Sequence, residues 1–228
     1  MLSLVFYIFA DIFKTKKMKK LLISVFMMIL VICQAQKHDL KSSKILETTT
    51  KKYKENRNSY FKFAYGIGAN GRVSKTQVGT FYTTPTQYRL KVMGVEQIFD
   101  GKKIYNISTE DSEVTITKVG HNGNVAFSPT SYLSAYKKDY NSTYVGKKNI
   151  SGKLVEQVRL TPIKANGVKE VDIYIDAKTS AIVKIEQQLS DKSYNTITIQ
   201  EYKNNQNLSP SFFTFNKANY KNYIITEL

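Results

Sequence analysis

The chain has 228 residues, of which 42% are hydrophobic and 12% aromatic, and its formal net charge is +16. This composition excludes a disordered chain, and the length is enough for one domain with a substantial hydrophobic core. The single cysteine excludes a disulfide framework. The lysines are spread along the chain without an arginine-rich cluster, which excludes the usual nucleic-acid-binding patterns.

The first 35 residues have the pattern of a secretory signal peptide. Lys19 and Lys20 precede an apolar run at 21–32, and Cys33 and Ala35 place small residues three and one positions before Gln36. The run is shorter than the ~20 residues that span a membrane, so cleavage near Ala35 is predicted, with an uncleaved anchor as the alternative. Residues 1–35 are then an N-terminal extension with a signal peptide, and residues 36–228 are an exported domain.

The export signal has three further consequences. Met18 is an alternative start to Met1, because residues 1–17 precede the basic stretch. Ile32 stands where a lipoprotein signal needs a small residue before its cysteine, so lipidation of Cys33 is not expected. Residues 36–228 keep 29 basic and 17 acidic residues, a net charge of +12. This charge favours anionic membrane surfaces or acidic partners, with an ordinary solvated surface as the alternative.

The first predicted element of the exported domain is a helix over residues 39–54. Asp39 or Ser42 can cap it, and Leu46 and Tyr53 fall near one apolar stripe. The stripe is narrow, so we expect this helix to lie against a larger apolar surface.

From residue 59 onward the sequence alternates with a period of two, which is typical of strands with one buried face. Dipeptides such as Asp100-Gly101 separate the strands as tight turns. About eleven strands are predicted, and residues 223–225 are one more candidate. The predicted strands occupy residues 59–67, 73–82, 88–92, 95–99, 104–108, 113–119, 140–146, 154–161, 171–175, 182–189 and 194–202.

A second, shorter helix interrupts the strands at residues 130–136. Pro129 is tolerated at its start, because the first backbone N–H groups of a helix have no partner within it. Tyr132, Leu133 and Tyr136 lie on one side of this helix. The order of elements predicts a mainly β fold with a helical lid: an unclosed antiparallel β-barrel covered by short α-helices. Its concave face would hold an apolar ligand, and the alternative is that this face is ordinary core.

No constellation of catalytic or metal-binding residues is found in the sequence. His38 and His121 have no partner at metal-ligand spacing, and Gly-x-Ser-x-Gly does not occur. Asp100 is interpreted as a turn residue rather than a catalytic acid, and the acidic residues at 110–113 as a solvated turn rather than a cation site. We therefore expect a protein that is not an enzyme and that needs no metal and no cofactor.

Six short stretches of the exported domain follow one another in a recognisable order. They are residues 45–53 with Phe61 and Phe63; Gly79-Thr80-Phe81-Tyr82 with Pro85 and Tyr88-Arg89-Leu90; Ile98-Phe99-Asp100-Gly101-Lys102 with Ile104-Tyr105; Ser128-Pro129; Val158-Arg159-Leu160-Thr161-Pro162; and Phe213-Thr214-Phe215. In this order they resemble the periplasmic outer-membrane lipoprotein carrier family, LolA. The stretch Asp100-Gly101-Lys102 and the stretch Leu160-Thr161-Pro162 carry most of the resemblance.

The resemblance implies a periplasmic carrier, or chaperone, that holds the acyl chains of lipidated proteins in its cavity. It would be a monomer that takes cargo from an inner-membrane lipoprotein-releasing transporter and gives it to an outer-membrane acceptor. The implied acyl-chain cavity consists of Phe61, Phe63, Tyr65, Tyr88, Leu90, Val92, Ile104, Val114, Ile116, Leu160 and Ile173. The implied lid consists of Leu46, Tyr53, Pro129, Tyr132, Leu133 and Tyr136.

One position departs from the family pattern. The best-known carriers have an arginine immediately before the proline that follows the second strand, and this arginine ties the lid shut. Here Thr84 precedes Pro85, and Arg89 on a nearby strand is not assigned that role. We therefore expect the lid to be held mainly by apolar contacts.

Three alternatives to a carrier remain open at this point. The membrane-bound acceptor of the same fold would need a lipid anchor, against which Ile32 argues. A lipid-sensing or stress-sensing module would usually carry a second domain. A secreted hydrolase on this fold would need catalytic residues that the sequence does not show.

Overall fold

Two α-helices and one short 3-10 helix, Lys217–Tyr220, are found in the computed structural model, which describes residues 39–118 and 128–228. Helix α1 spans Leu40–Lys54 and helix α2 spans Ser131–Asp139. Oδ1 of Asp39 accepts hydrogen bonds from the backbone N–H groups of Lys41 and Ser42, at 2.7 and 3.1 Å, so Asp39 is the N-cap of α1. The predicted first helix is confirmed, and the second extends further than predicted because its helical pattern continues to Asp139.

Several features predicted from the sequence lie outside the described residues. They are the signal peptide, Cys33, His38 and His121. In the part of the chain that the structure describes, no helix has both the length and the apolar character needed to cross a membrane.

The described residues also contain twelve strands, one more than the eleven assigned from the sequence. The additional strand is the candidate near the C-terminus. The strands are β1 (Ser59–Ala69), β2 (Arg72–Thr83), β3 (Tyr88–Val92), β4 (Val95–Phe99), β5 (Lys103–Ser108), β6 (Glu113–Lys118), β7 (Tyr140–Ile150), β8 (Lys153–Pro162), β9 (Val168–Asp176), β10 (Ile182–Leu189), β11 (Ser193–Asn204) and β12 (Ile224–Glu227).

All twelve strands belong to one sheet, in the order β12-β6-β5-β4-β3-β2-β1-β11-β10-β9-β8-β7. Strands β1 to β11 pair antiparallel with their neighbours, whereas β12 runs parallel to β6. Strands β7 and β12 are the two edges of the sheet, so the sheet does not close into a full barrel. The predicted fold class, an unclosed mainly antiparallel sheet with short helices, is confirmed.

Helices α1 and α2 cover one face of the sheet, which we call the concave face. Leu46 of α1 and Leu133 of α2 are buried in the same cluster as Phe61 and Phe63 of β1. This cluster is the main hydrophobic core, and it extends over β1 to β3 and β7 to β11. The helices therefore complete the core rather than lie beside it.

The opposite, convex face is covered in part by the C-terminal segment, residues 205–228. A second cluster forms where this segment crosses β4, β5 and β6. It consists of Ile98, Ile107, Val114 and Ile116 from the sheet, with Tyr105, Phe215, Tyr220, Tyr223 and Ile225 packed against them. The rings of Tyr105 and Phe215 are stacked, with centroids 4.7 Å apart.

Candidate functional site

The concave face is the candidate site, because most of the predicted cavity residues meet there. Six of them are buried in one cluster, and Tyr65 and Val92 pack against it. Ile104 is buried at the margin of the same face, where it pairs across strands with Phe99. The six buried members are Phe61, Phe63, Tyr88, Leu90, Leu160 and Ile173.

Two predicted cavity residues, Val114 and Ile116, lie on the wrong face for that role. Both belong to the cluster under the C-terminal segment. Val114 pairs with Ile107, and Ile116 pairs with Tyr105, on the convex face. The period of two shows correctly that Val114 and Ile116 share a face, but strand pairing across the turns decides which face it is.

Further core residues on the concave face were not among the predicted cavity residues. Val158 and Val171 alternate in step with Leu160 and Ile173, so the same period of two could have found them. Phe81 could have been found from the pairing of β2 with β3, which places it opposite Leu90. The other members are Tyr140, Ile175, Ile182, Ile185 and Ile197.

A glycine explains how the ring of Phe63 fits into this face. Gly79 of β2 lies opposite Phe63, and a Cβ atom there would approach the ring to 2.5 Å. The absence of a side chain at position 79 lets the aromatic ring lie across the neighbouring strand.

The predicted lid residues all lie at the interface of the helices with the sheet. Leu46, Tyr132, Leu133 and Tyr136 are buried in the main cluster, and Tyr53 packs against it with its ring centroid 5.5 Å from that of Phe61. Pro129 is buried in the turn that precedes α2. We call α1 and α2 together the lid.

Hydroxyl groups attach the lid to the sheet in addition to these apolar contacts. The backbone N–H of Ile182 donates to the Tyr53 hydroxyl at 2.9 Å, and Nε2 of Gln187 donates to the Tyr132 hydroxyl at 2.7 Å. Burial raises the pKa of Tyr53 and that of Tyr132, so both hydroxyls remain protonated at neutral pH. The lid was expected to be held mainly by apolar contacts; in the structure these hydrogen bonds hold it as well.

The start of α1 makes further attachments to β7, among them a hydrogen bond of 3.1 Å from the backbone N–H of Asp39 to the carbonyl of Ser142. The hydroxyls of Ser42 and Ser142 are 2.8 Å apart and buried. Oδ2 of Asp39 accepts a hydrogen bond from the backbone N–H of Tyr144, and this bond is the largest factor that lowers the pKa of the Asp39 carboxyl. One carboxylate thus caps the helix and fixes the helix to the edge of the sheet.

Neither Thr84 nor Arg89 attaches the lid. Oγ1 of Thr84 accepts a hydrogen bond from the backbone N–H of Gln87 at 2.9 Å, so this side chain closes the turn between β2 and β3. Arg89 lies on the convex face, where its guanidinium pairs with Glu96 and donates to the carbonyl of Phe212 at 2.9 Å. Arg89 therefore holds the C-terminal segment, not the helices.

The concave face is closed in this conformation. A cavity of about 140 Å³ lies between the end of α1, the start of α2 and the turn after β2, with Tyr53, Pro85 and Leu133 in its lining. Pockets that enclose drug-sized ligands measure roughly 300–1,000 Å³. A larger cavity of about 420 Å³ is lined only by residues of α1 and its C-terminal end and of α2, among them Glu47 and Lys137, and by no strand residue. Neither cavity opens the concave face to a long acyl chain, so such a ligand reaches that face only if the lid moves away from the sheet.

The acidic residues considered in the sequence form turns. Oδ1 of Asp100 accepts from the backbone N–H groups of Lys102 and Lys103, both at 2.8 Å, and Asp111 accepts from the Ser108 hydroxyl. Within residues 39–118 and 128–228, no group of three His, Cys, Asp or Glu side chains is placed to hold a metal ion.

Comparison with known proteins gives one family and one fold. The model of the family described as "Outer membrane lipoprotein carrier protein LolA" matches residues 67–216. A search of curated proteins finds no match. An uncharacterised conserved protein from Thermus thermophilus has a similar structure, with a TM-score of 0.58, 10% identity, and coverage of 82% of this chain and 99% of that chain.

Two further solved structures have lower TM-scores. A LolA superfamily protein from Nitrosomonas europaea has a TM-score of 0.41 and 10% identity, covering 76% of this chain and 97% of its own. The lipoprotein LppX from Mycobacterium tuberculosis has a TM-score of 0.44 and 16% identity, covering 75% and 96% respectively.

Proposed function

Since the chain belongs to the outer membrane lipoprotein carrier family, LolA, we propose that it is an exported, non-enzymatic carrier of lipidated proteins. The acyl chains of the cargo would lie against the concave face, beneath the lid. The carrier would work in the periplasm, between an inner-membrane lipoprotein-releasing transporter and an outer-membrane acceptor. One observation supports this proposal above the others: a continuous apolar face is covered by two short helices rather than by a second sheet.

The free energy of ligand binding by such a carrier is the difference between two sets of apolar contacts: those of the acyl chain with the concave face, and those of the lid that the acyl chain replaces. Burial of a chain of about sixteen methylenes contributes roughly 13 kcal/mol, at about 0.8 kcal/mol for each methylene. Opening of the lid exposes Leu46, Leu133 and Tyr136, and the burial of each contributes roughly 1.5–3 kcal/mol in the closed form. Ordering of the cargo reduces the gain further. The net affinity is then moderate, which suits a protein that must also release its cargo.

The proposal is tested by a carboxylate placed on either face of the sheet. Leu90 of β3 is buried on the concave face, so Leu90→Glu should weaken binding of a fluorescent fatty-acyl probe by at least a hundredfold. The reason is that an unpaired charge in the cavity either holds water there or must become protonated.

Thr80→Glu is the matched control for that experiment. Thr80 pairs with Lys91 on the convex face of the neighbouring strand, so the new carboxylate meets a lysine and not the cavity. Lys91 itself is a poorer control site, because its Nζ is 3.2 Å from Glu96. Equal probe binding by folded Leu90→Glu and Thr80→Glu proteins would refute the proposed cavity.

A further inference from the structure

Gln97 and Gln187 are two of the glutamines on the concave face, and their hydrogen bonds differ in one respect. Gln97 of β4 is bonded within the sheet: the Tyr88 hydroxyl donates to its Oε1, and its Nε2 donates to Asn106, both at 2.6 Å. Gln187 of β10 accepts from Asn195 of β11 at 3.1 Å, but its Nε2 donates to Tyr132 of the lid.

Movement of the lid therefore affects only one of these two amides. When α2 leaves the sheet, Tyr132 leaves with it, while Gln187 and Asn195 remain paired across their strands. Nε2 of Gln187 then loses the acceptor that it has in the closed form. On the side away from Asn195 the surface is apolar: Val171 is the cross-strand partner of Gln187 on β9, and Ile185 precedes it on the same face, and both are fully buried in the closed form.

A purely alkyl ligand could not replace the Tyr132 hydroxyl. It would cover the amide with methylene groups and leave a buried N–H donor without an acceptor, which is unfavourable. The ligand group that restores the bond must be a neutral acceptor, since an unpaired charge at this place would also be unfavourable. Carbonyl oxygens of esters and amides meet this requirement.

We propose that Nε2 of Gln187 binds a carbonyl oxygen of the acyl group that the carrier holds, in place of the Tyr132 hydroxyl. This inference rests on the proposed carrier function and adds the chemical group that is recognised, an ester or amide carbonyl at the head of the chain. The bond fixes the depth to which the chain enters, because it joins a defined atom of the ligand to a defined strand.

The test compares three probes on purified protein: a diacylglycerol, a dialkylglycerol ether of the same chain length, and an N-acylated peptide. Gln187→Leu should lower the ratio of diacyl to dialkyl affinity about tenfold, which is the effect expected of one hydrogen bond. A loss confined to the diacylglycerol assigns the bond to an ester, and a loss confined to the N-acylated peptide assigns it to an amide.

Two variants separate recognition of the carbonyl from opening of the lid. Tyr132→Phe removes the attachment of α2 but keeps Gln187, so the affinity for both glycerolipids should change equally and their ratio should stay constant. Gln97→Leu removes an amide from the same face that does not contact the lid, and it should also leave the ratio unchanged. Circular dichroism and thermal unfolding confirm that each variant is folded.

Infrared spectroscopy gives a readout that is independent of affinity. With a ¹³C-labelled ester carbonyl, the bound ligand should show a carbonyl band lowered by hydrogen bonding in the wild-type protein and not in Gln187→Leu. If Gln187→Leu leaves the affinity ratio, the ester carbonyl band and the affinity for the N-acylated peptide all unchanged, the inference alone is overturned. If neither glycerolipid nor the N-acylated peptide binds the wild-type protein, the proposed carrier function fails as well.

Discussion

At the scale of single residues, the two oxygens of the Asp39 carboxylate have separate tasks. Oδ1 accepts from the first N–H groups of α1, and Oδ2 accepts from the backbone N–H of Tyr144 in β7. A helix cap and a contact between helix and sheet therefore depend on one side chain. Its loss should loosen the start of the lid without altering the cavity.

Asp39→Ala should lower the free energy of unfolding by about 0.5–2 kcal/mol, the range for loss of an N-cap. Hydrogen exchange of the Lys41, Ser42 and Tyr144 amides should become faster. Urea unfolding and amide exchange measured by mass spectrometry test both expectations.

The Asp39 carboxyl also predicts a dependence on pH. Its pKa in the folded protein is lowered, so its contribution to stability is present above the ordinary aspartate pKa and is lost as the pH falls through the lowered value. The stability difference between wild type and Asp39→Asn should therefore shrink as the pH is reduced from 7 towards 3. A difference that grows over this range would contradict the assigned hydrogen bonds.

The packing of the core depends on the absence of a side chain at Gly79. Gly79→Ala places a Cβ atom against the ring of Phe63, which must then shift within a packed core. Such overpacking costs about 1–3 kcal/mol. Chemical denaturation should show this loss, and the concave face should bind acyl probes less well because Phe63 is one of its central residues.

At the scale of elements, the lid is a composite of apolar and polar contacts. Helix α1 buries Leu46, but it also buries Ser42 and Thr49. Ser42 is paired with Ser142, whereas Oγ1 of Thr49 has no hydrogen-bond partner among the described residues. A buried hydroxyl without a partner is unfavourable, so the closed position of α1 is less stable than that of a fully apolar helix.

Leu133→Asp should shift the lid towards the open form, because Leu133 is buried between α2 and the sheet. We expect faster hydrogen exchange in α1 and α2 and faster release of an acyl probe. Ser134→Asp is the matched control, since Ser134 is the next residue of α2 and is exposed. Equal release rates for the two variants would show that α2 does not retain the ligand.

At the scale of the whole molecule, the two faces of the sheet have different tasks. The concave face carries the proposed cavity, and the convex face at β4 to β6 is sealed by the C-terminal segment. Substitutions on the convex face should therefore affect stability and not the affinity for ligand.

Ile107→Ala tests this separation. Ile107 is buried under the C-terminal segment, so the change should lower the free energy of unfolding by about 2–5 kcal/mol. Its affinity for the acyl probe should remain within about twofold of the wild-type value at temperatures where the variant is folded. A parallel loss of affinity would mean that the C-terminal segment contributes to binding.

The order of helices and strands could be predicted from the sequence, because alternation and turn dipeptides act over a few residues. Which face each strand presents could be predicted only in part. Phe61, Leu90 and Leu160 were assigned correctly to one cluster, whereas Val114 and Ile116 were not. To assign the face of a residue in a later strand, the register of every preceding strand pair must be known. The convex face at β4 to β6 is also apolar because the C-terminal segment, which is distant in sequence, packs against it.

The hydrogen bonds of the lid were beyond the reach of pattern analysis. Tyr53 and Tyr132 were predicted to be lid residues from their position on one side of a helix. Their partners, the backbone of Ile182 and the side chain of Gln187, lie far away in the sequence. A hydroxyl and an amide carry no periodic signal, so only the folded arrangement brings them together.

The lid side chains cover the concave face, so they compete with an acyl chain for the same apolar surface. Leu46 and Leu133 belong to the same chain as the sheet, so their effective concentration at the concave face is high and does not change when the protein is diluted. The apparent dissociation constant then equals the intrinsic one divided by the open fraction: an open population of about 1% weakens binding about a hundredfold. The same competition works in the other direction during delivery. In the proposed delivery to an acceptor, each withdrawn methylene would be replaced by a side chain of the lid, so the emptying cavity would not be exposed to water.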